Sequence, residues 1–256
     1  MHYCCNLQST WHPKQWGTAV AGLVLIVLSL ANPGLAWAQS NVPDDNLTES
    51  AEMPVLSVSP VVIPAPGRGQ GLSVRVSAPL TGSDLPIIVF AHGNALSSDD
   101  YAPLVNYWAS QGFVVIQPTF LDAAVLNLAP GDPRRPSIWR YRVEDMKRVL
   151  ENLDLIENTV PGLEGRMNRD RIAAAGHSYG GITAGMLLGA RVIRPDGTKQ
   201  DLSDPRIDVG ILLATAGRGG EDLSDFAVRN FPFMNPSFAE MTRPVLVIAG
   251  IGTSLP

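Results

Sequence analysis

The chain has 256 residues, 45% of them hydrophobic and 17% charged, with a net charge of −5 at pH 7. That length suits one α/β domain with a sizeable core and does not require two. The acidic balance offers no basic face to a phosphate backbone, which argues against nucleic-acid binding. Cys4 and Cys5 are the only cysteines, so the body of the protein has no disulfide framework, thiol nucleophile or cysteine-built metal site.

A polar start carrying Lys14 leads into the apolar run Thr18 to Ala31, and Ala36-Trp37-Ala38 precedes Gln39. Residues 1–38 read as a secretory signal peptide with an A-x-A cleavage site. The apolar run is shorter than the roughly 20 residues of a spanning helix. The expected destination is secreted or periplasmic, with membrane contact only through the signal before cleavage. Removal of residues 1–38 takes away Lys14 and no acid, so the mature charge becomes −6. Residues 39–53, polar and acidic with scattered proline, read as a disordered leader. Residues 54–256 form the folded domain.

Val55 to Ile63 and Leu72 to Ala78 are expected as an antiparallel pair of strands across a Pro/Gly-rich turn. Pro86 to Ala91 is a continuous apolar run of the kind covered on both faces. Asp99 to Gln111 follows as a helix, capped at Ser98 or Asp99 and stopped by Gly112. Phe113 to Ile116 is the next buried strand. Ile138 to Asn158 is the clearest helix: Met146, Val149, Leu150, Leu153 and Ile156 make one apolar stripe, while Arg140, Glu144 and Arg148 repeat on a solvated face. Arg171 to Ala175, Ile207 to Leu213 and Val245 to Ala249 complete the strands. This alternation predicts a mostly parallel sheet with helices on both faces, whose chemistry collects at the carboxyl ends of the strands.

At one such end stands Gly176-His177-Ser178-Tyr179-Gly180-Gly181, directly after the Arg171 strand and before a helix-like stretch from Ile182 to Ala190. Strand, sharp turn and helix is the setting in which a G-x-S-x-G motif presents a nucleophilic serine. Ser178 is expected in a strained conformation at the tip, with Gly176 and Gly180 leaving room for strand and helix to approach. Tyr179 opens the helix, where N–H groups are unpaired and the dipole favours a developing negative oxygen. Asn94, in the loop Ala91-His92-Gly93-Asn94 after the neighbouring strand, could aim its N–H at the same point. Phe226, Phe231, Phe233 and Phe238, together with Trp139, are read as either pocket wall or core seal, with the core favoured for most of the phenylalanines. Gly217 to Asp225 reads as an exposed loop.

Together these segments resemble the α/β-hydrolase family from Val55 to about Gly250, and within it the dienelactone hydrolase, cutinase-like polyester hydrolase and chlorophyllase-like group. The likeness rests on the Val89 to Asn94, Gly112 to Ile116, Asp170 to Gly181 and Arg243 to Gly250 segments. It implies Ser178 as nucleophile, the N–H groups of Tyr179 and Asn94 as oxyanion hole, and a small-molecule or polymeric carboxylic ester as substrate. The sequence has no clustered His/Cys/Asp ligand set, so no cofactor or metal is expected.

The same resemblance implies an acid just after the Val245 strand and a histidine further on, in the order serine, acid, histidine. Positions 251 to 253 are Ile251, Gly252 and Thr253, and the domain contains only His92 and His177. His177 is expected to point away from the serine and His92 to brace the oxyanion loop. Asp122 reads as a loop residue, and Asp204, Asp208, Asp222 and Asp225 as carboxylates with no base to orient. The reading is therefore an exported serine esterase, truncated at its C-terminus, lacking the last strand and helix, and inactive or very weak in this form. The alternative is a non-catalytic acyl- or lipid-binding protein on the same fold, and a third reading is an envelope-anchored interaction protein.

Overall fold

A seven-stranded sheet organises residues 52–194 and 196–250, the part of the chain that the computed structural model describes. These residues belong to a unit running from Glu49 to Pro256. The signal-peptide reading of residues 1–38, most of the leader and the tail 251–256 lie outside the described residues. Met53 does not fit the leader reading, because its N–H donates to the Ser110 carbonyl at 2.9 Å.

In chain order the strands are β1 (Val55–Ile63), β2 (Leu72–Pro79), β3 (Leu85–Ala91), β4 (Val114–Pro118), β5 (Met167–His177), β6 (Arg191–Ile193), β7 (Lys199–Gln200), β8 (Val209–Leu213), β9 (Pro236–Ser237) and β10 (Val245–Ile248). The helices are α1 (Ala102–Ser110), α2 (Ile138–Glu151), α3 (Leu153–Thr159), α4 (Tyr179–Leu187) and α5 (Asp225–Asn230). The large sheet has the order β1-β2-β4-β3-β5-β8-β10. Its first two pairings are antiparallel and the remaining four parallel. The expected α/β architecture, a mostly parallel sheet with helices on both faces, is what forms.

Period-two alternation in the central strands feeds two cores. Ile87, Val89 and Ala91 of β3, with Val114 and Ile116 of β4, face a core closed by Val143, Met146 and Val149 of α2 and by Ala184 and Leu187 of α4. Ile88, Phe90 and Val115 face the other side, where Val105 of α1 completes a smaller core. Phe90 meets the rings of Tyr101 and Trp108 edge-on, at 4.8 and 5.8 Å between centroids. Side chains sealed this completely contribute roughly 1.5–3 kcal/mol each, and they fix the sheet whose carboxyl ends carry the site.

Three helix boundaries differ from expectation for local reasons. α1 begins at Ala102, not Asp99, because Asp100 turns back to accept from the N–H and Oγ of Ser97, and Asp99 pairs with Arg75. Its end is as expected, with Gly112 at φ +97°. The long helix is broken at Asn152, whose side-chain amide donates to the Arg148 carbonyl at 2.8 Å and separates α2 from α3. α4 starts at Tyr179, where the motif placed the amino end of the helix, and stops at Leu187 instead of Ala190, just ahead of Gly189 at φ +114°.

A second, three-stranded sheet, β7-β6-β9, had no sequence signal, since its strands are two or three residues long. Its β6–β9 pairing, Arg191 with Ser237 and Val192 with Pro236, anchors the end of the segment that follows β8. β10 is the last strand of the large sheet among the described residues, and Leu246, Val247 and Ile248 are each more than half exposed.

Candidate active site

Register brings the two halves of the site together. Ala91, the last residue of β3, lies opposite Gly176 of β5, so the loop after β3 and the turn after β5 leave the sheet side by side. At that turn Ser178 has φ 54° and ψ −119°, a region that side chains other than glycine rarely adopt, at a cost of about 1–3 kcal/mol. The turn is over-determined by its neighbours: the Ser178 N–H donates to the Leu213 carbonyl at 2.9 Å, and its own carbonyl accepts from Gly181 and Ile182.

The flanking glycines are required by close packing. A Cβ at Gly176 would run into the Gly180 carbonyl, and one at Gly180 into the backbone of Ala91 and His92. The two strands and the helix therefore meet at backbone distance, and the Ser178 side chain is left at the tip, half-buried and lining a cleft of about 730 Å³. Its hydroxyl has no hydrogen-bond partner among the described residues.

Around Asn94 nearly every backbone group is tied. The His92 carbonyl accepts from Arg142 Nη2. The Gly93 N–H donates to the Tyr101 hydroxyl at 3.0 Å, and the Gly93 carbonyl accepts from His92 Nδ1 at 2.7 Å. The Ala95 N–H donates to Asp122 Oδ2 at 3.3 Å, and the Ala95 carbonyl accepts from Ala124 at 3.0 Å. Asn94 is the exception: among the described residues its N–H has no acceptor. Tyr179, at the first position of α4, likewise has no intrahelical acceptor for its N–H. Both residues line the cleft beside Ser178.

Both histidines are engaged elsewhere. The Phe120 N–H donates to His92 Nε2 at 3.0 Å, so this ring carries its proton on Nδ1. Burial first, and then the Arg142 charge, hold its pKa down at about 4, well below 6.5. His177 Nδ1 shares a hydrogen bond with the Tyr101 hydroxyl at 2.8 Å. Of the carboxylates, Asp204 is held by Arg206, and Asp208 accepts the Ile172 N–H. Positions 251 to 253 lie outside the described residues.

Asp122 is more than a loop residue. Both its oxygens accept from Arg142 Nη1 at 2.7 Å, in a pair whose Arg142 side chain is fully buried. Arg142 lies between the rings of Phe120 and Tyr179, 4.1 and 4.4 Å from their centroids. The signal for one half of this pair was present in the sequence: Arg142 falls on the buried face of α2, and a charge on a core face requires a partner.

The aromatic assignments divide. Phe233, 9% exposed, and Trp139 are buried cleft wall, and Phe233 stacks on Tyr179 at 5.1 Å. Phe226, Phe231 and Phe238 do not seal the core as expected. They are 63%, 37% and 44% exposed, and Phe231 also lines the cleft.

A family model described as Chlorophyllase matches residues 55–192, more than half of the chain. The chain belongs to the chlorophyllase family. "Chlorophyllase type 0" of Chenopodium album is 28% identical over 184 residues, covering 69% of this chain and 47% of that protein. The chain thus spans about half the length of this chlorophyllase relative. Among solved structures, a ferulic acid esterase from Streptomyces cinnamoneus superposes with a TM-score of 0.52 at 18% identity, over 81% of this chain and 67% of its own. That likeness establishes the α/β-hydrolase fold. The family match runs from β1 into β6, so it takes in both the Asn94 loop and the Ser178 turn.

Proposed function

We propose that this member of the chlorophyllase family is built to hydrolyse carboxylic esters through an acyl intermediate on Ser178. The observation that carries the reading is a serine at positive φ at the head of a helix, flanked by two N–H groups without acceptors, opening on an aromatic-walled cleft. Ser178 Oγ attacks the ester carbonyl. The oxygen that gains charge is held by the N–H groups of Asn94 and Tyr179, an interaction worth about 3–4 kcal/mol per donor in acyl transfer. The alcohol departs with a proton, and water then cleaves the acyl-serine bond.

The proton on Ser178 Oγ has no acceptor among the described side chains, and turnover by the 256-residue chain is therefore proposed to be slow. Loss of triad members in related mechanisms leaves about 10³ to 10⁴ over the uncatalysed rate. The cleft volume and its Trp139, Phe231 and Phe233 wall favour an ester with a large apolar part, and kinship with the Chenopodium album protein makes chlorophyll one such substrate to try. We also propose export, with residues 1–38 removed; a mature N-terminus other than Gln39 would contradict that step.

The test is hydrolysis of a p-nitrophenyl ester series by the chain and by Ser178→Ala. Slow turnover that improves with acyl length and vanishes in the variant supports the reading. Equal rates in the two proteins would sink it. The unpartnered serine hydroxyl also favours a second reading, an acyl-binding protein without turnover, which predicts stable binding of a long-chain ester that is never consumed.

A further inference from the structure

Arg142 takes no part in the proposed chemistry, yet its guanidinium touches every element that carries it. Nη2 donates to the His92 carbonyl, two residues before Asn94. Both Nη1 contacts go to Asp122, which in turn accepts the N–H of Ala95, one residue after Asn94. Ala95 itself sits at φ 61°, a conformation that alanine keeps only when its surroundings hold it. Nε donates to Thr183 Oγ1 at 3.2 Å, and Thr183 Oγ1 donates to the Tyr179 carbonyl at 3.1 Å in the first turn of α4. The face of the guanidinium lies against the Tyr179 ring.

We infer that Arg142, with Asp122, is the positioning residue of this site: one buried fork fixes the spacing between the N–H groups of Asn94 and Tyr179. The inference rests on the ester-hydrolase reading above, since it assigns those two N–H groups a shared oxygen. The geometry is of a kind that only arginine provides. A planar guanidinium has five N–H groups in fixed directions, and here they reach the loop after β3, the Asp122 loop and α4 at once. Lysine would keep the charge beside Asp122 but could not span the three. Because Arg142 is fully buried between two rings, water cannot replace the contacts it loses. Stabilisation of a developing oxyanion depends on donors placed in advance, so a loosened loop weakens binding of a tetrahedral centre more than binding of a planar carbonyl.

The experiment compares wild type, Arg142→Lys and Thr183→Val in binding octylboronic acid and octanamide, by calorimetry. On the boronic acid, Ser178 Oγ adds to boron and its proton passes to solvent, giving a tetrahedral anion whose oxygen lies where the oxyanion would. Octanamide fills the same cleft as a planar carbonyl. Backbone ¹⁵N order parameters of Gly93 to Ala95 are measured alongside.

The inference predicts that Arg142→Lys loses about 10- to 100-fold in boronic acid affinity, while octanamide affinity stays within about 2-fold and the Asn94 order parameter falls from about 0.85 to below about 0.6. Thr183→Val, which removes a single hydroxyl and keeps the ion pair, shows a smaller loss of the same selectivity and decides the matter if Arg142→Lys does not fold. Unchanged affinities and order parameters, or equal loss of both ligands, would overturn it. Failure of the underlying reading looks different: boronic acid then binds Ser178→Ala as well as wild type, or binds neither. In that case the order parameters still judge the positioning role, and an unchanged loop in Arg142→Lys rejects it.

Discussion

The two walls of the cleft are built on opposite plans. On the side of the serine, backbone groups from His92 to Ala95 are fixed by a histidine, a tyrosine, an aspartate and an arginine, most of them buried, and the turn at Ser178 leaves no room for a Cβ on either flanking glycine. On the side of the segment after β8, Phe226 projects largely into solvent and Phe231 is partly exposed, α5 has no buried residue, and the anchor is the two-residue strand β9. Under the proposed ester hydrolysis, the contrast separates what must be held to a fraction of an ångström from what can adapt to the shape of an apolar ligand. Donors and a nucleophile require fixed geometry. An apolar wall requires area.

The largest effect that would break the contrast is at Gly180. Gly180→Ala drives a Cβ into the backbone of Ala91 and His92, which has no flexible side chain to yield. It is expected to cost more than about 4 kcal/mol in denaturant unfolding, or to prevent the folded protein from accumulating. A cost under about 1 kcal/mol would mean that strand and helix are not locked at backbone distance.

Next comes Phe233, the one phenylalanine of the adaptable wall that is buried, against Tyr179 and Trp139. Phe233→Ala should destabilise by about 3 kcal/mol, as for other buried aromatics.

His92 gives a pH signature to the rigid side. Its folded pKa of about 4 lies below the ordinary 6.5. Burial and then Arg142 lower it, outweighing the Gly93 carbonyl and the more distant charges of Asp122 and Asp100. Between those two values the unfolded chain takes up a proton that the folded chain refuses, so stability falls as pH drops from 6.5 to 4, by about 3 kcal/mol in total. Urea midpoints for wild type and His92→Gln at pH 7 and pH 4.5 measure it. The difference between the two pH values should shrink by about 2 kcal/mol in the variant.

The smallest effect sharpens the comparison from the other side. Phe226→Ser, at a ring that is mostly in solvent and contacts Phe231 edge-on, should change stability by less than about 0.5 kcal/mol.

The legibility of the sequence follows the same division. The central strands of the large sheet were readable from short apolar runs, although β5 begins at Met167, ahead of the Arg171 to Ala175 run, and Gly176 to Gly181 announced its turn because close backbone approach leaves glycine as the only residue that fits. His92 ties its loop as expected, through Gly93 and Phe120, and the His177 ring bonds to Tyr101. Helix starts were harder: Asp99 and Asp100 fit a cap equally well as a turn before it, and only the Asp100 to Ser97 contact distinguishes the two. Asp122 was lost because its partner lies 20 residues away on another element, although the charge of Arg142 on the buried stripe of α2 marked one half of the pair. Strands β6, β7 and β9 carry no periodicity at all, because pairs two or three residues long have no room for one.

The most direct test of the central claim is intact-mass analysis of the chain after exposure to p-nitrophenyl butyrate, with peptide mapping and Ser178→Ala as control. A single butyryl group is expected on the peptide containing Ser178, present in wild type and absent from the variant. A wild type that takes up no acyl group, or a variant that is labelled to the same extent, would contradict it.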